Sequence, residues 1–239
     1  MTSPHSPGIY GLIGPSAAGK THYLRSLFGP GAAFVPAAAD ALFAGRTAGD
    51  HLAWAGEAKP LAPVELSFAE RTHIAALSVG QRRELTFLVA LAAGEPLLLL
   101  DEPFDGLDVS TRTRLREHLI DYIAADPERT VVMSSHRAED LAGLAERVIR
   151  VFDRTVEGPV SLDAVRAKFP ILTGPREAVE AFTAHRTVVS TSHLGPTLRA
   201  QLAEPLNVDP GGAGAGVEVA YPHDAQLIDL LASRKDILS

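Results

Sequence analysis

The sequence predicts an α/β fold built on a parallel sheet, on three observations. Short apolar runs alternate with segments of helical periodicity from residue 9 to residue 152. The stretch GPSAAGKT, residues 14–21, stands between the first apolar run and the first helical segment. A later run of four leucines, residues 97–100, ends directly on Asp101 and Glu102, and charged residues rarely close a buried strand without a partner.

Taken in order, Ile9 to Ile13 reads as a buried strand and Lys20 to Phe28 as a helix stopped by Gly29-Pro30-Gly31. Residues 32–63 are rich in Ala, Gly and Pro with weak periodicity, so loops and short helices are expected there. Gly80 to Ala93 is a helix and Leu97 to Leu100 a strand. Ser110 to Ala124 carries Leu115, Leu119 and Ile123 at helical spacing. Thr130 to Met133 is a strand, Arg137 to Glu146 a helix and Arg147 to Phe152 a strand. The pattern changes near Lys168-Phe169-Pro170. Beyond it the expectation is a helix at Arg176 to His185, a strand at Thr187 to Ser190 and a helix at Pro196 to Ala203. A glycine-rich loop at 210–216, a strand at Val217 to Ala220 and a helix at Ala225 to Ser233 complete the chain. The expected division is therefore 1–168 and a small α+β appendage, 169–239, with no nameable chemistry. No internal repeat is present.

Composition narrows the function. The 239 residues carry a net charge of −7, which makes nucleic acid an unlikely main partner. With no cysteine, disulfides and thiolate metal sites are excluded, in keeping with a reducing compartment. The N-terminus lacks the basic segment and apolar core of a signal peptide. The longest apolar stretch, Leu85 to Ala93, falls far short of the ~20 residues that span a bilayer.

GPSAAGKT fits G-x-x-x-x-G-K-[ST], the P-loop. Gly14, Pro15, Ser16, Ala17, Ala18 and Gly19 would offer backbone N–H groups to phosphate oxygens. Lys20 would reach the β- and γ-phosphates of ATP, and the Thr21 hydroxyl would bind Mg²⁺. Asp101, at the tip of a neighbouring strand, would hold the same Mg²⁺. Glu102, one residue on, would polarise the attacking water.

Two further stretches, LSVGQRR at 77–83 and Ser134-Ser135-His136, complete a known order. LSVGQ, a strand ending in DEP, GLD at 106–108 and His136 resemble the ATP-binding subunits of bacterial ABC transporters, over about residues 8 to 165. The resemblance implies a P-loop NTPase fold of the ABC ATPase type and a head-to-tail dimer sandwiching two ATP molecules. It implies that Ser78, Gly80 and Gln81 meet the γ-phosphate held by the partner, that Asp108 crosses the interface, and that His136 orients the water. It also implies hydrolysis coupled to a separate transmembrane permease, a homodimer or heterodimer, and a cytoplasmic place on the inner face of the membrane. By the same resemblance the patch from Leu42 to Trp54, with Phe43, corresponds to the region that receives the permease; the alternative is that Trp54 is core of the small subdomain.

The departures are specific. Only thirteen residues precede Gly14, so the adenine-stacking element of the family is not expected, and the stretch from Lys20 to Ser78 is short for its helical subdomain. No glutamine lies between Thr21 and Ser78; Ala37 stands near the position of the family's Mg²⁺-sensing glutamine. Ala17 replaces a P-loop glycine, His22 a hydroxyl residue and Val79 a signature glycine. Alanine would crowd the cradle if the backbone there needs positive φ. Two other readings stay open: a degenerate regulatory subunit with little hydrolysis, and a soluble ABC ATPase without a transport role.

Overall fold

The computed structural model describes residues 6–37, 43–206 and 216–238. Within them the chain divides into two compact units, Met1–Pro159 and Val160–Ser239. The division falls ahead of the expected position 168. One reason is that α6 (Leu162–Arg166) is tied to α8 (Asp224–Ser233): Arg166 donates to Asp224 Oδ1 at 2.6 Å and to the Pro222 carbonyl.

The first unit is built on a six-stranded sheet. Its elements in chain order are β1 (Gly8–Ile13), α1 (Lys20–Leu27), β2 (Ala32–Val35), α2 (Ala48–Ala58), α3 (Val79–Ala92) and β3 (Leu97–Asp101). There follow α4 (Val109–Ala125), β4 (Thr130–Ser134), α5 (Ala138–Leu141), β5 (Arg147–Phe152) and β6 (Thr155–Ser161). The strand order is β2-β3-β4-β1-β5-β6, and the pairings β2–β3, β3–β4, β4–β1 and β1–β5 are all parallel. Strands buried on both faces need continuous apolar runs. Leu98, Leu99, Leu100, Val131, Val132 and Met133 accordingly have no exposed surface. Tyr10, Leu12, Tyr23, Leu24, Leu99, Val132, Ile149 and Val151 form one cluster that seats α1 on the sheet. Tyr10 and Tyr23 are thus core residues.

Three expectations in this unit need correction. β2 forms where a loop was expected. Its AAFV sequence has little apolar bulk because it is a half-buried edge strand. The helix expected over Arg137 to Glu146 is four residues long, since the chain turns at Gly143, whose φ is 70°. Residues Asp153 and Arg154, both with positive φ, turn β5 into β6, a strand the sequence reading missed.

The second unit has a four-stranded antiparallel sheet of order β10-β7-β9-β8. These are β7 (Ile171–Pro175), β8 (Val188–Leu194), β9 (Thr197–Leu202) and β10 (Glu218–Ala220), with α7 (Arg176–Thr183) between β7 and β8. Leu172, Val179, Leu198, Ala200, Leu202 and Val217 make its core. β9 overturns the helix expected at Pro196 to Ala203. Leu198 and Leu202 satisfy a helical repeat, but Ala200 is buried with them and Arg199 and Gln201 alternate outward, which is the period of a strand. The 210–216 loop lies outside the described residues except for Gly216, as does Leu42 of the Leu42 to Trp54 patch.

Candidate nucleotide site

The P-loop joins β1 to α1 and leaves no room for larger residues at its start. A Cβ on Gly14, at φ 143°, would lie 2.0 Å from the Val151 carbonyl oxygen. The loop is held from the other side by the β5–β6 turn, where the Arg154 N–H donates to the Ala18 carbonyl at 2.9 Å. Helix α1 starts after Gly19 with no side-chain cap, so its first N–H groups are free of an intrahelical or capping partner there. Ala17 sits at φ 61°, the left-handed region that alanine adopts at a cost of about 1–2 kcal/mol. The crowding foreseen for this alanine therefore takes the form of backbone strain. Lys20 is largely buried, and its ammonium donates to the carbonyls of Gly14 at 2.9 Å and Pro15 at 3.1 Å.

The acidic pair reaches the same place because β4 lies between β1 and β3. In register, Ser134 stands beside both Leu12 and Asp101. Asp101 Oδ2 accepts from the Thr21 hydroxyl at 2.8 Å, and Asp101 Oδ1 accepts from the Ser134 hydroxyl at 2.7 Å. The Ser134 oxygen in turn accepts from the Glu102 N–H at 3.0 Å. Glu102 has φ 48°, which turns its side chain away from that of Asp101. Its Oε2 meets His136 Nδ1 at 2.8 Å and the His136 N–H at 3.1 Å. Ser16, Ala17, Gly19, Lys20, Thr21, Asp101, Glu102 and His136 together line one open cavity of about 470 Å³. It opens beyond the carboxyl ends of the parallel strands, where α/β sheets bind ligands.

Ser78, Gly80 and Gln81 are not among the residues lining that cavity. They form the start of α3: Ser78 Oγ accepts from the Gln81 N–H at 3.1 Å, and Gln81 Oε1 accepts from the Ser78 N–H at 3.0 Å. This reciprocal cap leaves the α3 start exposed, with Val79 half-exposed. Asp108 caps α4 through Ser110 and Thr111, and those hydrogen bonds hold its carboxyl well below the usual range.

Two residues that the sequence reading gave no role belong to this neighbourhood. Ser134 links Asp101 to Glu102; its only sequence signal is its place at the end of an apolar strand. Arg83 of α3 donates to the Glu102 carbonyl and the Ala37 carbonyl, each at 2.8 Å, and lies 3.7 Å from Asp105. Nothing in the sequence brings residues 37, 83 and 102 together; only the sheet order does.

The residues present suit a divalent cation. The Thr21 hydroxyl and the Asp101 carboxylate converge within hydrogen-bond distance, and both are the hard oxygen donors that Mg²⁺ takes, with water supplying the remainder. Among the described residues no cluster of three or more His, Asp or Glu offers an alternative metal site.

Fold and site together give this unit the P-loop NTPase fold in the form seen in ABC ATPases. The chain overlays a structure described as the ATP-binding subunit of an ABC transporter, with a TM-score of 0.59 at 20% identity. That overlay covers 66% of this chain and 80% of the other. It also overlays a chain of an inward-facing metal-chelate type ABC transporter, with a TM-score of 0.53 at 18% identity, covering 83% of this chain and 87% of the other. In sequence it resembles the ABC transporter ATP-binding protein YtrB of Bacillus subtilis, 30% identical over 39% of this chain and 32% of that protein. The thiamine import ATP-binding protein ThiQ of Yersinia pestis is 34% identical over 44% of this chain and 45% of its own length. The aliphatic sulfonates import ATP-binding protein SsuB 1 of Rhodococcus jostii is 31% identical over 44% and 42%. The chain thus spans less than half the length of the curated relatives it matches. No protein-family model matches it.

Proposed function

We propose that this chain is the ATP-binding subunit of an ABC transporter, which binds and hydrolyses Mg-ATP and drives a separate membrane permease. The observation that carries the reading is the continuous hydrogen-bond chain Thr21–Asp101–Ser134–Glu102–His136 around one cavity beside the P-loop. Gly14 to Gly19 receive the β- and γ-phosphates on backbone N–H groups, and Lys20 adds the mobile cation. Thr21 and Asp101 would hold Mg²⁺, which would neutralise phosphate charge. Glu102 takes a proton from the attacking water, and His136, bonded to the same carboxylate, fixes its orientation. In a head-to-tail dimer, Ser78, Gly80 and Gln81 of one copy present the α3 N-terminus to the γ-phosphate held by the other. Asp108 lies at that interface. No helix among the described residues is long and apolar enough to cross a membrane. In this reading the permease is a separate partner, and the chain works on the inner face of the membrane beside it.

A degenerate subunit that binds nucleotide and turns it over slowly is the second reading. Ala17 strains the cradle, Val79 adds bulk at the proposed dimer face, and the Ala37 position has no side-chain amide. Lys20→Ala tests the assignment both readings share. Calorimetry with Mg-ATP should show most of the affinity lost in a folded variant; unchanged affinity would remove the site from the P-loop. Steady-state ATP turnover of the permease-bound native protein then separates transport subunit from degenerate subunit.

A further inference from the structure

The turn that braces the P-loop carries a cation of its own. Asp153 and Arg154 form a two-residue link between β5 and β6, with φ 48° and 63°. Hairpin turns with positive φ at both positions favour glycine at the second, because a side chain there crowds its own backbone. Arginine at 154 is therefore held in a conformation that costs it stability, and such outliers mark candidate functional positions.

Three contacts define its surroundings. The Arg154 N–H donates to the Ala18 carbonyl at 2.9 Å, which ties the strained residue to the phosphate loop. A Cβ on Gly19 would lie 3.4 Å from Arg154 Cγ, so the arginine stem runs alongside Gly19, which itself lines the nucleotide cavity. Glu157, further along β6, is engaged by Arg150 at 3.0 Å. The Arg154 side chain is exposed and makes no hydrogen bond, ion pair or ring contact with another described residue. Sheet order adds a direction. From β1, which leads into the P-loop, β4 and β3 lie on one side with Ser134 and Asp101 at their ends, and β5 and β6 lie on the other.

We propose that Arg154 is a nucleotide-binding residue whose guanidinium meets the α-phosphate, on the flank of the P-loop opposite Asp101. This rests on the reading of residues 14–21 as the phosphate loop. A triphosphate whose γ end faces Glu102 and His136 extends its α end toward β5 and β6. The loop N–H groups enclose the β- and γ-phosphates, and the guanidinium fork adds donors where the phosphate chain leaves them. A cation at that point adds affinity for any nucleoside triphosphate and no preference among bases.

The test is calorimetry on the full chain with Mg-ATP, Mg-GTP and Mg-tripolyphosphate, comparing the native protein with Arg154→Gly, Arg154→Gln and Arg154→Lys. Glycine relieves the strained φ and keeps the N–H that bonds Ala18, so the urea midpoint should not fall. Affinity for all three ligands should nevertheless drop about tenfold. Arg154→Gln keeps a stem over Gly19 without the charge and should lose as much, while Arg154→Lys should retain part of the affinity. Unchanged affinity in the Gly and Gln variants overturns the proposal, and Lys20→Ala then shows whether the phosphate-loop reading stands without it. Loss for ATP and GTP with tripolyphosphate unaffected also overturns it, since the guanidinium would then lie on the base. A parallel fall in affinity and urea midpoint in Arg154→Gly would assign the residue to holding the loop instead. Native protein that binds none of the three ligands removes the underlying reading, and the proposal with it.

Discussion

At the scale of single residues, the site is unusual in having alanine where the backbone needs the left-handed conformation. Ala17 at φ 61° carries strain that glycine would not. Two effects compete in Ala17→Gly: relief of about 1–2 kcal/mol in the folded state, and about 0.4–1 kcal/mol of added entropy in the unfolded chain. The net expectation is a gain of up to ~1.6 kcal/mol, read by urea unfolding. Mg-ATP affinity should rise with it, since the cradle N–H groups no longer share that strain. Equal or lower stability would mean that the loop accommodates alanine without cost. The sequence alone could name Ala17 as a departure but not its φ, which is set by the Val151 carbonyl packed on Gly14 and the Arg154 N–H bonded to Ala18.

At the scale of elements, the central strands were legible because burial on both faces forces continuous apolar runs, as at residues 97–100 and 130–133. The place of the candidate site was legible for the same reason: acidic residues at the end of such a run stand out. β9 was not, because leucines at 198 and 202 fit both a helical and a strand repeat. Arg83 escaped for another reason, since its contacts depend on α3 packing beside the strand ends. Arg83→Gln should lower ATP turnover while leaving Mg-ATP affinity in place, because the guanidinium holds the Glu102 carbonyl and touches no P-loop residue among its recorded partners. Loss of affinity equal to the loss of turnover would argue against this. Helix α2 gives a pH prediction. His51 Nδ1 accepts from the Ala44 N–H at 3.1 Å, its ring lies between Phe43 and Trp54, and burial lowers its pKa from 6.5. With the folded pKa depressed, the stabilisation is present above 6.5 and is lost as pH falls through the lower folded value. Trp54, the chain's only tryptophan, is half-exposed, so its emission should be red-shifted at pH 7. That emission should change further on acidification with a midpoint below 6.5. A pH-independent signal, or the same titration in His51→Gln, would sink the assignment.

At the scale of the whole molecule, the open question is whether two copies close on nucleotide. The residues proposed to act across the interface are held ready by local caps and take no part in their own cavity: Ser78 and Gln81 cap α3, and Asp108 caps α4. A helix start with exposed N–H groups and no anion of its own suits a phosphate from another copy. Val79, 50% exposed at that start, is the residue proposed to hinder that approach. Glu102→Gln separates the possibilities. Amide for carboxylate removes the proposed general base, so turnover should fall by about 10²–10⁴. The Thr21–Asp101–Ser134 bonds at the proposed Mg-ATP site do not involve the changed group and should persist. A nucleotide-sandwiched dimer would then accumulate, and light scattering should show the 25.3 kDa chain doubling in mass on addition of Mg-ATP. A dimer that forms equally without nucleotide would contradict the sandwich. A protein that stays monomeric while saturated with Mg-ATP would assign Val79 the decisive role and favour the degenerate subunit, and Glu102→Gln/Val79→Gly should then recover the dimer.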